Sequence, residues 1–545
     1  MKTLATTLQA AIAAAYHHDI TPVITRPDPT FGDYTTNVAL QLAKPLQKSP
    51  REIAETLAAA LRDTGEYAAV EVAGPGFLNV RLHDAAILAL ADQQPATERA
   101  GQQVVIETNN PNPFKAMHIG HAFNAILADT IANLLEASGA AVQRVSYHGD
   151  VGAHVGKSMW AILRYIDGDV QKLQAIPANE RNLFMSKMYA EGAAAYKQDD
   201  TAKAEITALA KQSFMLDDPL YKAVYEVCCQ WSFAEIDANM QRIGNVPIVR
   251  RYLEREADAR GVPIVRAHTP DVFVESDGAL VFPGSKYGSF DNVFVTSQGL
   301  GLYGARDIGL ITLKHDDFHA EKSYIVTAEE QRDYFKGVIK AAELAMPELA
   351  GVTHNISTGT VKLTTGKMSS RDGDVITIDW LFQEFAKAIA ARGGEPTAEV
   401  VAGALRYQFL KVKIGSDVVF DVQDAVSLTG NTGSYLQYAH ARACSIIEKS
   451  TTNPEKVSII QQEDRALVRK LGEYHEVAAQ AMRLLEPHHI CTYLFELAQE
   501  FNRYYEHHQV IGSEHEAHRV GLVAMYAKTL QKGLHILGIH APEKM

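Results

Sequence analysis

A strand–loop–helix–strand segment at residues 104–150 constrains the fold of this chain more than any other part of its sequence. It opens with VVIET (104–108), a β-branched run typical of a strand that is buried on both faces. A loop and a helix near 120–138 follow, and AVQRVSYHGD (141–150) is the next strand. A strand–helix–strand of this length forms a βαβ unit with a right-handed parallel crossover. The segment therefore predicts a parallel α/β sheet in the middle of the chain.

The length of 545 residues exceeds what one hydrophobic core usually holds. We expect an α+β domain at 1–98, a Rossmann-like α/β domain at 99–378 and an all-α bundle at 379–545. A polar, helical pattern at about 157–260 indicates an insertion in the α/β domain. Further helices are expected near 3–16, 37–62, 379–390, 404–411, 435–447, 461–485, 488–508 and 514–535. Further strands are expected at 74–82, 273–285, 292–297, 323–331 and 359–364, and the later ones, separated by helices, favour a doubly wound sheet.

Two histidines, His118 and His121, lie at the start of the helix near 120–138. Three residues apart, their rings are on one side of the first helical turn. Their N–H groups, the free backbone N–H groups and the helix dipole make an anion site, and Gly120 lets a ligand approach the backbone. Such a site suits the α-phosphate of a nucleotide and the extra charge of a pentacoordinate transition state. A solvated histidine-rich turn and a pair of metal ligands are the alternative interpretations.

A second candidate site is GKMSSRDGD (366–374), a glycine-bounded polar loop between a strand and a helix. Its cations, Lys367 and Arg371, could hold the leaving pyrophosphate and its Mg²⁺ as charge develops. Taken alone, a solvated charged loop is the simpler interpretation. Together with two histidines in the same Rossmann-like domain, the loop indicates a nucleotide site.

These two segments resemble the HIGH and KMSKS signatures of the class I aminoacyl-tRNA synthetases, and the detail is closer to the arginyl-tRNA synthetase family. The resemblance covers nearly the whole chain, and the insertion is its least distinctive part. Its segments are FGDYTTNVALQLAK (31–44), GPGFLNVRL (74–82), the region 107–152, ALRYQFLK (404–411), GNTGSYLQYAHARACSI (430–446) and LGIHAPEKM (537–545).

The resemblance implies an arginine–tRNA ligase. The carboxylate of L-arginine would attack the α-phosphorus of ATP to give arginyl-adenylate and pyrophosphate, and the terminal 2′-hydroxyl of tRNA(Arg) would then take the arginyl group and release AMP. It also implies a small α+β N-terminal domain that contacts tRNA, a Rossmann-like catalytic domain with a parallel sheet, and an all-α anticodon-binding bundle. We expect ATP with substrate-bound Mg²⁺, no protein-held metal and no membrane partner. A cytoplasmic monomer is expected.

The family's functional residues are carried over where the motifs match. The catalytic residues are His118, His121, Lys115 and Lys367. The ATP-binding residues are Gly120, Met368, Ser369, Ser370 and Arg371. The arginine-binding residues are Glu107, Asn112, His148, Asp150, Tyr303, Asp307 and Gln331, of which His148 and Asp150 are included because they end the second strand at a ligand-binding edge. The tRNA-binding residues are Phe31, Tyr34, Asn79, Tyr435, Tyr438 and Arg442.

One departure concerns the triphosphate. Ser370 stands where the KMSKS pattern has its second lysine, and the resemblance points to Lys115 as the substitute, so Lys115 and Lys367 are both assigned to the phosphates.

The arginine assignment is chemically sensible. A guanidinium has five N–H donors and a permanent charge, so carboxylates such as Glu107 and Asp307 can select it. Tyr303 and Asp307, four residues apart, would share one helix face. In the structural alternative, Glu107 is a surface acid at a strand end and Asp307 pairs with Arg306.

Aromatic and basic residues of the tail could stack on unpaired bases. Besides the tail residues already assigned, Tyr504 and Tyr505 belong to this group. Packing in the core of the bundle is the alternative for about half of these aromatics. The formal charge of −13, from 52 Lys plus Arg and 65 Asp plus Glu, at first argues against a nucleic-acid partner. Residues 401–545 contribute only −1, from 15 cations against 16 anions, so binding is expected to rest on local basic patches.

The four cysteines lack C-x-x-C spacing and are expected to be free thiols. The N-terminal segment favours an amphipathic helix over a signal peptide, because Leu4, Leu8 and Ile12 recur at helical spacing. Two other functions compete with a ligase: a free-standing nucleotidyltransferase, which would not need the helical tail, and a synthetase-like RNA-binding protein without catalysis.

Overall fold

The computed structural model describes residues 4–364 and 376–545. Its first elements are α1 (Leu4–Tyr16), β1 (Tyr34–Thr36), α2 (Val38–Leu46), α3 (Pro50–Asp63), β2 (Tyr67–Ala73), β3 (Phe77–Leu82) and α4 (Asp84–Asp92). The helix expected at 37–62 is two helices, because Gln47 follows α2 with a left-handed φ of 50° and Pro50 begins α3. Proline suits a first helical turn, where its missing N–H would have no partner. The strands pair antiparallel in the order β1-β3-β2, which gives an α+β arrangement.

The middle of the chain contains the helices and strands of the predicted α/β domain. The bounds are β4 (Gln103–Glu107), α5 (Ile119–Ala137), β5 (Ala141–His148), α6 (Ala153–Ile166), α7 (Gln171–Gln174), α8 (Arg181–Gln198), α9 (Asp200–Met215), α10 (Pro219–Arg242), β6 (Arg250–Leu253), α11 (Glu254–Ala267), β7 (Val274–Ser276), β8 (Ala279–Phe282), β9 (Asn292–Val295), α12 (Tyr303–Phe318), β10 (Lys322–Ala328), α13 (Arg332–Ala345) and β11 (Thr353–Thr358).

Five of these strands form one parallel sheet in the order β11-β10-β4-β5-β6. The chain runs from β4 outward through β5 and β6, and then returns to the other side of β4 for β10 and β11. The strand order therefore reverses between β4 and β10. In open α/β sheets, ligands bind in the crevice outside the carboxyl ends of the strands at such a point. The predicted parallel α/β class is confirmed, and the topology identifies the edge where a site should lie.

Several expectations about the strands are wrong. The strands at 273–285 and 292–297 do not join the parallel sheet, since β7, β8 and β9 form an antiparallel sheet of their own. Asp277 and Gly278, both with positive φ, make a two-residue hairpin turn that folds β8 directly back on β7. In the region expected to be helical, β6 is the fifth strand of the main sheet.

The last part of the chain is mainly helical, as predicted. Its elements are β12 (Val361–Leu363), α14 (Ile378–Ala391), α15 (Ala398–Leu410), β13 (Val418–Phe420), α16 (Val422–Ala425), α17 (Gly433–Lys449), α18 (Arg465–Leu471), α19 (Tyr474–Leu484), α20 (His488–His507) and α21 (Glu516–Ile536). The strand expected at 359–364 pairs with β13 and not with the main sheet. In the described part of the chain, no helix is both long and apolar enough to cross a membrane.

The chain forms two compact units. One comprises Met1–Pro95, Ala443–Val477 and Phe495–Leu530, and the other comprises Ala96–Arg442, Ala478–Leu494 and Gln531–Met545. The helical tail contributes segments to both units. The parallel sheet and its crevice belong wholly to the second unit.

Candidate functional site

The crevice at the carboxyl ends of β4 and β10 is the first candidate site. Residues from both strands and from α5 line it, including Glu107, Asn109, Asn110, His121, Asn124 and Val326. The structure therefore brings the strand-end Glu107 and the helical His121 to one cleft, at the point where the strand order reverses.

The first turn of α5 fixes both histidine rings through the backbone. His118 is the N-cap, and its Nδ1 accepts a hydrogen bond from Gly120 N–H at 3.1 Å. His121 Nδ1 accepts one from His118 N–H at 3.2 Å. The two rings stack with centroids 3.7 Å apart and an interplanar angle of 25°. A Cβ on Gly120 would lie 3.1 Å from the His118 ring, so glycine leaves the room that this arrangement needs.

These hydrogen bonds determine which ring nitrogens carry protons. A backbone N–H can only donate, so Nδ1 of each ring is an acceptor and the proton of each neutral ring is on Nε2. Burial, and then the charge of Lys115, lowers the pKa of His118. Burial lowers the pKa of His121 well below its ordinary value, and His118 and Lys115 add to the effect. The expected free N–H groups are instead bonded within the protein, since those of Ile119 and Gly120 donate to Ile376 O and to His118 Nδ1. The turn therefore offers two neutral Nε2–H donors at the positive end of a helix, an arrangement suited to an anion.

The loop before this turn is anchored by Phe114, which sequence reasoning missed. Phe114 is fully buried and has a left-handed φ of 65°, a conformation that is uncommon without glycine. Its N–H donates to Ser232 Oγ at 3.1 Å, and its carbonyl accepts from Ser158 Oγ at 3.0 Å. Its ring packs against Tyr225. The helices α6 and α10 of the insertion thereby hold the loop, and no local pattern could have revealed contacts over such separations.

Lys115 follows this anchor and is half-buried. Burial lowers the pKa of Lys115, and the charge of Glu254 opposes the effect. Nearby, His154 donates from Nε2 to the carbonyl of Gly149 at 2.7 Å. Burial, with Lys115 second, lowers the pKa of His154 to about 4. Lys115 is thus a cation among neutral histidines and remains available to a phosphate.

Asn112, Gly149 and Glu254 meet at the end of β5. Gly149 N–H donates to Asn112 Oδ1 at 2.9 Å. A Cβ on Gly149 would lie 2.9 Å from that oxygen and 3.0 Å from Glu254 Oε1, so the close approach requires glycine. Glu254, which sequence reasoning also missed, pairs with Arg306 at 2.9 Å. Burial raises the pKa of Glu254, and Arg306 opposes that rise.

Asp307 and Glu107 are two of the buried acids of the predicted arginine pocket. Lys314 Nζ donates to Glu107 Oε1 at 2.6 Å, and Asn110 donates to Oε2 at 2.7 Å. Asp307 instead accepts a hydrogen bond from the Tyr334 hydroxyl. Burial raises the pKa of Asp307 to about 7, against the lowering effect of that hydrogen bond, and the nearby acids Glu107 and Glu254 add to the rise. In the described part of the chain, no lysine or arginine nitrogen lies within 4.0 Å of the Asp307 carboxylate.

The other predicted arginine-binding residues are placed differently. Tyr303 is 67% exposed at the start of α12, and Gln331 is exposed in the short 3-10 turn between β10 and α13. His148 is buried, with one ring nitrogen at Pro111 O and the other at Ser146 Oγ. Asp150 is buried and accepts from Tyr225 and from the backbone N–H of Arg255. The polar atoms of His148 and Asp150 are therefore already bound within the protein, and neither residue belongs to the described lining of the crevice.

The predicted triphosphate loop lies outside the described residues. Its members are Lys367, Met368, Ser369, Ser370 and Arg371. Directly after it, Ile376 O accepts a hydrogen bond from Ile119 N–H at 2.9 Å, and Thr377 forms a bridge with His118. The described chain therefore resumes against the histidine turn of α5.

The predicted tRNA-binding residues divide by exposure. Phe31 is 60% exposed and Tyr438 is 39% exposed. Tyr34 hydrogen-bonds to Glu476 and lies under the Arg26 guanidinium. The remaining residues are less open: Asn79 and Tyr435 are buried, and so is Tyr504, whereas Arg442 is partly buried.

One side-chain cluster has the composition of a metal site. In the described part of the chain, Glu486, His488 and His489 offer ligand atoms within 4.8 Å of one another at the start of α20. The positive end of that helix and the charge of Lys413, which lowers the pKa of His488 after burial and His489, both disfavour a cation there.

Family models match most of the chain. The model described as the arginyl tRNA synthetase N terminal domain matches residues 2–82. The model of the tRNA synthetases class I (R) catalytic domain matches 84–411, and that of the DALR anticodon binding domain matches 436–545.

Full-length similarity extends to individual proteins. The arginine–tRNA ligase of Thermobifida fusca is 30% identical, covering 99% of each chain, and that of Frankia casuarinae is 30% identical, covering 100% of this chain and 99% of its own. The fold resembles the solved structure of Thermus thermophilus arginyl-tRNA synthetase, with a TM-score of 0.82 at 24% identity over 99% of each chain. The Plasmodium falciparum enzyme gives a TM-score of 0.81 at 19% identity, covering 99% of this chain and 98% of its own.

Proposed function

The chain belongs to the arginyl-tRNA synthetase family of class I, and on that premise we propose that it is an arginine–tRNA ligase. It activates L-arginine with ATP and transfers the arginyl group to the terminal 2′-hydroxyl of tRNA(Arg). The supporting observation is the pair of neutral Nε2–H donors of His118 and His121 at the switch point of the parallel sheet.

The first step needs no protein nucleophile. The arginine carboxylate attacks the α-phosphorus in line, and positioning together with charge stabilisation carries the catalysis. The Nε2–H groups of His118 and His121 donate to the α-phosphate oxygens, where negative charge increases in the transition state. Lys115 balances the leaving phosphates, and we assign Lys367 the same task. Since both rings are neutral, they stabilise charge without having to gain or lose a proton.

The proposed arginine pocket contains three acids, Glu107, Glu254 and Asp307, and the first two act on the Asp307 carboxylate. Glu107 and Glu254 each have a largely buried cationic partner, whereas Asp307 accepts a hydrogen bond from Tyr334. A guanidinium supplies the cation that Asp307 lacks, and its fixed N–H donors suit a carboxylate. Asn112 and Gln331 remain candidates for the α-amino and carboxylate groups of arginine.

Mg²⁺ enters with ATP, held mainly by phosphate oxygens and water. Glu107 is the one acid in the lining of the described crevice, and both of its oxygens are bound by Lys314 and Asn110. Because both oxygens of Glu107 are already bound, the ion would be carried by the substrate, where it would offset the charge of the pyrophosphate.

We retain the division at 1–98, 99–378 and 379–545, with the first and last parts assigned to tRNA. The exposed rings of Phe31 and Tyr438 are the best placed of the predicted residues to stack on bases. A cytoplasmic monomer is part of the same proposal.

Charging of bulk tRNA with each radiolabelled amino acid tests the function. Arginine alone should be attached, and omission of ATP is the control. Attachment of another amino acid would refute the pocket assignment. Pyrophosphate exchange without arginine would favour a nucleotidyltransferase, and tRNA binding without any charging would favour a non-catalytic RNA-binding protein.

A further inference from the structure

Lys314 is a buried lysine that the reaction itself does not use. It lies on α12 with 1% of its side chain exposed, and Glu107, at the end of β4, is equally buried. The Nζ–Oε1 distance is 2.6 Å. Burial of either charge alone would be costly, so each is tolerated because of the other.

Only one member of the Lys314–Glu107 pair lies at the crevice. Glu107 lines the crevice, whereas Lys314 lines a small void on the other side, with Val105 and Ser323. The second oxygen of Glu107 is held by Asn110, so the carboxylate is fixed at both atoms. Lys314 therefore reaches a ligand only through Glu107.

The same helix presents Asp307 two turns before Lys314. Positions seven residues apart share a helix face, so one face of α12 contributes an acid and a cation to this region. Since Lys314 pairs with Glu107 and Arg306 pairs with Glu254, the excess negative charge falls on Asp307.

We propose that Lys314 is a positioning residue for arginine: it holds the Glu107 carboxylate in place, and so directs the guanidinium to Asp307. This inference rests on the proposed function and deepens it. Without Lys314, one carboxylate oxygen of Glu107 loses its hydrogen-bond partner, and the side chain becomes free to turn. The pocket would then lose a fixed wall.

The test is arginine-dependent ATP–pyrophosphate exchange in the presence of tRNA, with KM and kcat measured from pH 6 to pH 9. Lys314→Met should raise the KM for arginine about tenfold, with little change in the KM for ATP. The other groups facing Glu107 are Asp307, Tyr147 and Asn110, and the wild-type profile at each pH accounts for them.

Three further variants make the result specific. Lys314→Arg keeps the cation and should restore most of the arginine affinity. The double variant Lys314→Met with Glu107→Gln removes both charges and should recover stability but not arginine affinity, because neutral pairs are tolerated in a core. Lys48→Met removes an exposed ion pair with Glu52 and should behave as wild type.

A lowered melting temperature with an unchanged arginine KM and pH profile in Lys314→Met would reduce Lys314 to a structural residue. Should that variant fail to fold, a wild-type arginine KM in the double variant overturns the proposal. Wild-type protein without arginine-dependent exchange removes the proposed function itself. If the wild-type protein is active and the Lys314 variants have the wild-type KM for arginine, only the proposed role of Lys314 is refuted.

Discussion

The first turn of α5 and the charged face of α12 prepare the two halves of one reaction by opposite physical means. At α5, His118 and His121 are neutral, and backbone N–H groups within three residues orient them. At α12, Asp307 and Lys314 are buried ionisable groups whose environment comes from distant strands and helices. The first region is thus a local hydrogen-bond motif that stabilises the negative charge developing on the α-phosphate. The second is a group of charges brought together by the tertiary fold, and it binds the permanent positive charge of the guanidinium. Changes at α5 should affect the rate, and changes at α12 should affect ground-state binding.

The largest effect is expected for His121→Ala. Loss of a preorganised donor to a transition-state oxyanion costs about 10²–10³ in rate, so adenylate formation should slow by that factor while arginine affinity changes little. Single-turnover adenylate formation and equilibrium arginine binding separate the two quantities. His83→Ala, at an exposed histidine, is the matched control. Equal losses in rate and in binding would erase the contrast between the two regions.

A smaller effect, on arginine affinity and not on the rate of adenylate formation, is expected for Asp307→Asn. The amide keeps the shape and a hydrogen bond to Tyr334 but loses the charge, so arginine binding should weaken by about 2 kcal/mol, or roughly 30-fold. ATP affinity should be unchanged. The affinities for arginine and for ATP should be measured on the same preparation of the variant. An unaltered arginine affinity would show that Asp307 does not contact the guanidinium.

The contrast also explains what could be predicted from the sequence. The histidine turn depends on neighbours a few residues away, and the strand before it contains its own β-branched run, so local sequence was enough to predict both. The resemblance supplied Glu107 and Asp307. It did not supply Lys314, which is 207 residues from Glu107 and has no local pattern that marks it as a partner.

Where the prediction failed, the missing information was also tertiary, with one exception. Phe114 has a left-handed backbone that only its contacts with Ser158 and Ser232 justify. The edge strand β6 is four residues long, too short to stand out within a helical region. The exception is the Asp277-Gly278 pair, a two-residue hairpin signal that should have assigned the following strand to an antiparallel sheet.

The pH dependence of arginine binding sharpens the comparison further. With burial raising the pKa of Asp307 to about 7, the empty pocket holds a proton there below that pH, and a guanidinium must displace it. Affinity should therefore fall with decreasing pH, and be about tenfold weaker at pH 6 than at pH 8. The groups that face Asp307 are Tyr334, Glu107, Glu254 and Lys314. Asp307→Asn should flatten the profile, and a profile that it leaves intact would assign the titration to another group.

The smallest effect is expected for Gly120→Ala in the first turn of α5. This substitution should increase the stability of the fold and decrease the rate of adenylate formation. Gly120 lies in a helix at an ordinary φ, so alanine should stabilise the fold by up to about 0.5–1 kcal/mol. The new Cβ would lie 3.1 Å from the His118 ring, which must then move by a few tenths of an ångström. Since small misplacements of a catalytic group are costly, adenylate formation should slow by about threefold. Thermal unfolding and single-turnover rates should thus change in opposite senses. A stabilised variant with the wild-type rate would mean that the His118 ring can shift without loss, and that the backbone of this turn is less strict than its hydrogen bonds indicate.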